Sequence, residues 1–181
     1  MLLLFLKNKI ISQFSSTFTV FAIAVLLAFS SNVIAADNSI NQPPLKFERI
    51  SIAEGLSQSY VYDIVQDTNG FIWIATQDGL NRYDGYDFKI FRHNNEDPTS
   101  ISSNLIRVIY KDSRGTLWVG ANGTGLNKYD VNTQSFQRFQ HIDKDSNSLS
   151  DDYVQAIFED AEGTLWVGTR GGLNKFNFTN G

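Results

Sequence analysis

The 181-residue chain contains no cysteine. Disulfides, thiolate metal centres and cysteine nucleophiles are therefore excluded together. It has two histidines, His93 and His141, and its net charge is −4 with no run of lysines and arginines. A nucleic-acid binder needs a basic footprint to meet phosphates, so that class is excluded too. Three prolines and thirteen glycines are too few for a low-complexity or collagen-like chain. No window after the N-terminus shows an apolar period of 3.6 residues, so helices are not expected there. What is abundant is aromatic: 13% of residues, fourteen of them Phe. That suits a β-protein with rings packed between layers.

One long apolar run is present. Lys7 and Lys9 precede VFAIAVLLAF at 20–29, and VIA at 33–35 is followed by Ala36. Ten apolar residues match a signal-peptide core and fall short of the roughly twenty that a membrane span requires. Residues 1–36 are read as an export signal. An uncleaved anchor is the alternative, because residues 2–6 are also apolar. Residues 37–46 are read as a polar linker. The rest of the chain is expected outside the cytoplasm, periplasmic or on the outer side of the membrane.

Beyond residue 46 the sequence repeats itself. GTLWVG stands at 115–120 and again at 163–168, and GFIWIA stands at 70–75. Aligning on Trp73, Trp118 and Trp166 brings many other columns into line. Asp67, Asp112 and Asp160 each lie six residues before the Trp. Gly70, Gly115 and Gly163 each lie three before it. After each Trp comes Gly-Leu-Asn, a Lys or Arg, and an aromatic residue, beginning at Gly79, Gly125 and Gly172. Between copies, FRHNNEDPTSIS at 91–102 lies over FQHIDKDSNSLS at 139–150, with His93 on His141. The repeat is therefore continuous, with a period of 45 and then 48 residues.

Each column has a physical reading. YVYDIVQD, LIRVIYKD and YVQAIFED are short β-branched and aromatic runs, hence strands. Asp-x-x-Gly is a turn: the Asp bonds the backbone ahead of it, and Gly tolerates positive φ. The Trp lies on the next strand, followed by a small residue (Ala75, Gly120, Gly168) that leaves room for a neighbouring ring. Gly-rich turns lead to a third strand, and Phe-x-x-Phe at 88–91 and 136–139 marks a fourth. Four short antiparallel strands in about 45 residues make one blade of a β-propeller. One blade cannot bury both faces, so adjacent blades share an apolar layer. The expected fold is all-β, a partial β-propeller following the signal segment. It has about three four-stranded antiparallel blades, at 57–101, 102–149 and 150–181, the third of them incomplete. Residues 47–56 are read as a lone outer strand. Three units do not close a ring, so a fragment of a longer protein is expected, with an apolar face left open to further blades or to self-association.

IVQDTNGFIWIATQDGLNRYDG (64–85) and IFEDAEGTLWVGTRGGLNKF (157–176) resemble the two-component regulator propeller repeat. The resemblance covers about 47–178. It implies the sensor segment of a larger receptor. In that family many repeats build an extracytoplasmic sensor, followed by a membrane helix and a cytoplasmic histidine kinase or diguanylate cyclase. Ligands of related sensors are often glycans or their breakdown products. Neither output motif occurs in this chain.

No catalytic residue, cofactor or metal is expected. The repeated Asp67, Asp112 and Asp160 are turn residues, and the two histidines occupy equivalent loops. Asp143, Asp145 and Asn147 alternate as a calcium loop begins, but the central glycine and the closing acidic residue are missing. GTGLNK and RGGLNK lead into strands rather than helices and so do not cradle phosphate. Binding is expected where the copies differ, at one end of the stack: Gln77, Asp78, Asn122 and Arg170 in the turns between second and third strands, and Tyr60 and Arg107 near the starts of the inner strands. The leading reading is a non-catalytic, ligand-sensing propeller segment that binds a small or glycan-derived molecule. A stand-alone secreted module that closes by self-association and a glycan-active propeller enzyme are the alternatives. The enzyme would need a carboxylate or histidine pair that breaks the repeat.

Overall fold

Eleven strands run in chain order between residues 61 and 175 of the computed structural model, which describes residues 45–178. The signal at 1–36 and most of the linker fall outside the described residues. The chain divides into compact units at 1–47 and 48–181, and the architecture below is that of the second. Blade 1 is β1 (Val61–Gln66), β2 (Ile72–Thr76), β3 (Gly79–Tyr83) and β4 (Phe88–Phe91). Blade 2 is β5 (Ile106–Lys111), β6 (Leu117–Ala121), β7 (Leu126–Asp130) and β8 (Ser135–Phe139). Blade 3 is β9 (Val154–Glu159), β10 (Leu165–Thr169) and β11 (Gly172–Lys175). Each sheet is an antiparallel meander with its strands in sequence order, and the third has three strands.

The strand pattern follows from alternation. In β2, Trp73 and Ala75 are buried while Ile72 and Ile74 are half-buried. Pairing is in register except for one bulge near the start of each inner strand, at Val61/Asp63, at Ile106/Val108, and between Val154 and Ala156 opposite Gly168/Thr169 of β10. The inner strands β1, β5 and β9 lie side by side along the stack. Asp63 fastens the first pair: its Oδ2 accepts the Ile109 N–H at 2.9 Å.

Two apolar layers hold the blades together. Trp73, Ala75, Leu80 and Phe91 of blade 1 meet Ile106, Ile109, Leu117, Val119, Tyr129 and Phe136 of blade 2. Trp118 and Leu126 of blade 2 meet Val154, Ile157, Leu165 and Val167 of blade 3. A large aromatic ring removes roughly 150–250 Å² from water. At about 25 cal/mol per Å² that contributes about 4–6 kcal/mol, as an upper bound. The Trp column is thus the main adhesive between blades.

The Asp-x-x-Gly turn has a second task that the sequence did not disclose. Asp112 Oδ1 accepts the N–H groups of Arg114 (3.0 Å) and Thr116 (2.8 Å), as a turn residue should. Its Oδ2 accepts the indole N–H of Trp118 at 3.0 Å. The same bond is 2.7 Å for Asp67–Trp73 and for Asp160–Trp166. The six-residue spacing therefore joins the turn to the ring that seals the blade. A second lock repeats as well. Asn127 Oδ1 accepts the Ser102 N–H (3.0 Å), and its Nδ2 donates to Ser102 Oγ (2.9 Å) and the Val119 carbonyl (3.2 Å). Asn81 with Ser57 and Asn174 with Ser150 do the same. His93 and His141 each bond a loop carbonyl through Nδ1, at 2.9 Å to Ile101 and 2.7 Å to Leu149.

The outer strand expected at 47–56 does not form. Residues 45–51 have no regular structure, and Ile52–Glu54 is a single 3-10 turn. Ser51 and Glu54 close a capping box on it, and Gly55 ends it at φ 110°. A strand needs a paired neighbour to satisfy its backbone, and among the described residues none runs alongside.

The small residue after each Trp is not equivalent in every copy. A Cβ on Gly120 would lie 2.6 Å from Val108 Cγ1 and 2.7 Å from Val154 Cγ1. On Gly168 its nearest neighbour would be Ala156 Cβ at 3.6 Å. Gly120→Ala should therefore cost about 1–3 kcal/mol through overpacking, whereas Gly168→Ala should be neutral or slightly stabilising. Urea midpoints of the two variants check this; equal midpoints would show that the blade 2–blade 3 seam is looser than described.

Candidate functional site

The residues singled out from the sequence share one end of the stack. At this end each turn between second and third strands bonds the segment that enters its own inner strand. The N–H groups of Gln77, Asn122 and Arg170 donate to the carbonyls of Tyr60 (3.3 Å), Leu105 (2.9 Å) and Tyr153 (3.2 Å). Turns also reach the next blade: Gly79 N–H donates to the Asn104 carbonyl (2.6 Å), and Gly125 N–H to that of Asp152 (2.9 Å). This end is therefore a continuous, hydrogen-bonded rim on which side chains are held in place.

Two aromatic–arginine groups stand on the rim. In the first, the Arg107 guanidinium sits 4.8 Å from the Tyr62 ring centroid, and the Tyr62 and Tyr60 rings lie 4.8 Å apart. In the second, the Arg170 guanidinium sits 4.0 Å from the Tyr153 ring centroid. Tyr153 also bridges to Asn122 across the seam between blades 2 and 3. Gly123 lies under that ring, where a Cβ would come within 3.1 Å of Tyr153 Cζ. Among the described residues, neither Arg107 nor Arg170 has a carboxylate within ion-pair distance. Stacking on a tyrosine face orients a guanidinium and leaves its edge donors directed outward.

Gln77 and Asp78 contribute differently. Asp78 is held by Arg92 in an exposed ion pair at 3.0 Å, so it is partnered rather than free. Gln77 adds a backbone bond to the rim. The two aromatic groups are not in contact with each other among the described residues. Sequence reasoning missed Tyr62 and Tyr153. A signal was present: Tyr62 shares a column with Arg107 and Gln155, and Tyr153 shares one with Tyr60 and Leu105. Both are columns where the copies disagree.

A cleft lies at the opposite end, between blades 1 and 2. Its volume is about 510 Å³, with Asp67, Thr68, Asn69, Trp73, Arg114, Tyr129 and Phe136 on its walls. A missing clasp explains it. Between blades 2 and 3, the Glu159 carboxylate accepts from Ser113 N–H (2.6 Å) and Oγ (2.9 Å) and from Arg114 Nη2 (3.4 Å). The matching residues between blades 1 and 2 are Thr68, Asn69 and Lys111, which form no such clasp. Burial pushes the Tyr129 phenol above its ordinary pKa, opposed by the nearby positive charge of Arg82.

The charge pattern makes the stack acid-sensitive. The Trp166 indole N–H holds the Asp160 carboxyl below its usual range. The N–H of Asn132 does the same for Asp130, and the Thr99 hydroxyl for Asp97. A carboxylate with a depressed folded pKa stabilises fully above its unfolded value, about 3.9. That stability is lost as the pH falls toward the folded value. The urea midpoint should be level near neutrality and drop below about pH 4, and Asp160→Asn should flatten that acid limb. No group of three His, Asp or Glu residues suited to a metal ion exists among the described residues. Among them, too, no helix is long and apolar enough to cross a membrane.

A series of antiparallel meanders, two four-stranded and one three-stranded, packed on one another with one Trp per unit, defines a segment of β-propeller. Three segments of the chain, residues 55–78, 100–123 and 148–171, match the two-component regulator propeller family. Among curated proteins, it is similar to histidine kinase P4 of Formosa agariphila, 46% identical over 78 residues, which is 43% of this chain and 5% of the kinase. Among solved structures, it is similar to the extracellular domain described as that of the hybrid two-component system BT3049 of B. thetaiotaomicron. The identity is 32% and the TM-score 0.64, over 73% of this chain and 20% of that one. The corresponding domain of BT4673 is 28% identical with a TM-score of 0.60, over 75% of this chain and 19% of that one. The chain thus spans a small part of each relative it matches.

Proposed function

We propose that this chain is a non-catalytic, ligand-sensing segment of an extracytoplasmic propeller, and that it binds through the rim carrying Tyr60, Tyr62, Arg107, Asn122, Tyr153 and Arg170. The observation that carries the reading is the pair of arginines stacked on tyrosines, at columns where the repeat is broken. Tyr62 also packs against the core between blades 1 and 2, but the arginines on these rings are not repeated in the other copies. Aromatic faces beside free guanidinium donors suit a small polar molecule with an apolar face, such as a sugar or a sugar acid. The similarity to extracellular domains of two-component systems and the apolar run at 20–29 support placement outside the cytoplasm. In a receptor, binding would bias the relation between sensor subunits and so an output domain, by differential affinity for two states.

The test is calorimetric titration of the exported chain with a panel of neutral and acidic oligosaccharides. A ligand on this rim should lose roughly tenfold in affinity on Arg107→Ala or Arg170→Ala, equivalent to about 1.4 kcal/mol. Asp130→Asn, at the other end, should leave affinity unchanged. Binding that is insensitive to both arginines but lost on Asn69→Ala would move the site to the cleft between blades 1 and 2.

A further inference from the structure

The seam between blades 2 and 3 is bridged by a carboxylate, and the seam between blades 1 and 2 has lost it. Glu159 of β9 accepts from the Ser113 N–H, the Ser113 hydroxyl and Arg114. It thus ties the turn of one blade to the inner strand of the next. One repeat earlier the same positions are Thr68, Asn69 and Lys111. The turn donors are kept, because Thr68 has an N–H and a hydroxyl where Ser113 has them. Among the described residues neither has a hydrogen-bond partner. The acceptor is gone, and a cation stands in its column. Lys111 pairs across the strands with Leu117, as Glu159 pairs with Leu165. Directly opposed residues share a face of the sheet, and Leu117 is buried against blade 1. Lys111 is therefore on the face toward blade 1. Among the described residues it has no ion-pair partner.

Beside these donors lies the cleft of about 510 Å³, with Thr68, Gly115 and Leu117 on its wall. Its walls belong to blades 1 and 2, so neither open face of the stack forms any part of it. Tyr129 is on the wall too. It is 7% exposed, and its hydroxyl is buried without a hydrogen-bond partner among the described residues. In the same column Tyr83 donates to the Gly85 carbonyl at 2.7 Å, and Phe176 has no hydroxyl to satisfy. The Arg82 charge is near the Tyr129 phenol. Its guanidinium lies over the Phe71 ring, 4.5 Å from the centroid, and makes no hydrogen bond of good geometry to the phenol. A buried polar group without a partner is rare in a folded protein, and this one borders room for a small molecule. Asp67 and Asp130 also line the cleft. Their carboxylates already accept N–H groups, from Asn69, Phe71 and the Trp73 indole and from Asn132.

We infer that this cleft is a second binding site, taking a small organic carboxylate with a hydrogen-bonding group on its body. The carboxylate takes the part that Glu159 plays one seam on. It accepts from the Thr68 N–H and hydroxyl and pairs with the Lys111 ammonium. The body lies in the cleft, and its polar group meets the Tyr129 hydroxyl. Charge-assisted hydrogen bonds are roughly twice as strong as neutral ones, so the anionic end dominates recognition. The site is at the opposite end from the rim and stands or falls without it.

Proton–nitrogen correlation NMR of the exported chain, titrated with para-hydroxybenzoate, tests this. The Thr68, Asn69 and Gly115 amides should shift together and saturate. Benzyl alcohol, of similar size without the charge, should leave them in place. Lys111→Gln and Thr68→Val should each weaken binding roughly tenfold. Tyr129→Phe should bring para-hydroxybenzoate down to the affinity of benzoate. Its urea midpoint should stay level, because the fold loses no hydrogen bond. Lys111→Glu builds the missing carboxylate into the chain. It should abolish binding with the urea midpoint level or raised, which makes the loss displacement rather than unfolding. Shifts at these amides that grow without saturating overturn the inference. So does binding that survives Lys111→Glu. So do shifts confined to the Arg107 and Arg170 amides, which would put the carboxylate on the rim.

Discussion

Trp118→Ala should unfold the chain or leave it barely folded at 25 °C, whereas Trp166→Ala should be tolerated. Trp118 is fully buried between blades 2 and 3. Its ring packs on Phe176 (4.8 Å between centroids) and Phe139 (6.1 Å), and Lys128 Nζ lies 5.9 Å away. A buried Trp→Ala change costs about 3–5 kcal/mol through lost transfer energy and cavity. It also strips the indole donor from Asp112, whose almost fully buried carboxylate keeps only the Arg114 Nε at 3.6 Å on that oxygen, and a buried carboxylate oxygen that loses its hydrogen bond costs about 1–3 kcal/mol more. Small domains hold about 5–15 kcal/mol in total, and a stack with two open faces belongs at the low end. Trp166 makes the same bond to Asp160, but its outer face is half open and the cavity left behind would fill with water. Far-UV circular dichroism against urea checks both variants without using Trp fluorescence. Equal losses would mean that stacking of blade on blade is not the main source of stability.

The fold was legible because packing enforces repetition. Trp, Gly, and Asp recur at fixed spacing because each unit is the next unit's partner, and strand order followed from short loops. Two features behind the pattern were not legible. The Asp column read as a turn, but its second oxygen is occupied by an indole six residues on, across a hairpin whose geometry no periodicity reveals. The Asn after each Gly-Leu was visible as a column without a reason. The reason is a lock on a Ser about 24 residues upstream, a distance over which local chemistry says nothing. The strand expected at 47–56 was read as a lone outer strand, and an outer strand forms only against a neighbour, which the described residues do not supply.

The rim was half legible for the same reason in reverse. Tyr60, Arg107, Asn122 and Arg170 stood out as differences between copies, and the structure places them at one end. Tyr62 and Tyr153, the rings on which the arginines stack, lie inside or beside strand runs and were absorbed into the strand reading. The cleft between blades 1 and 2 was invisible, since it arises from the absence of the Arg114–Glu159 clasp at one seam. That contrast emerges only when side chains 45 residues apart are seen to meet.

Asn127→Ala should be the most damaging polar substitution, and it separates a locked repeat from a merely stacked one. Asn127 is wholly buried, and its three bonds tie the Ser102 backbone N–H, the Ser102 hydroxyl and the Val119 carbonyl to β7. Ser102 itself is buried and opens blade 2. Removing the amide leaves the Ser102 N–H without its partner, and water reaches this place poorly. Each buried group orphaned costs about 1–3 kcal/mol, so a total near 2–5 kcal/mol is expected, with little lost from apolar contact. Asn127→Asp should not rescue it. The carboxylate keeps an acceptor for the Ser102 N–H but loses the donor to Val119, and it buries a charge with no cation partner. Asn174→Ala removes the same three bonds from blade 3, where Ser150 and Asn174 are less buried and water substitutes. Its urea midpoint should fall by less than half as much. Hydrogen exchange at the Ser102 amide gives a sharper readout: protection lost in Asn127→Ala, with the β5–β6 amides still protected, would show the blade's opening segment released from an intact sheet. Protection lost evenly across blade 2 would instead make the lock part of the sheet's own cooperative unit.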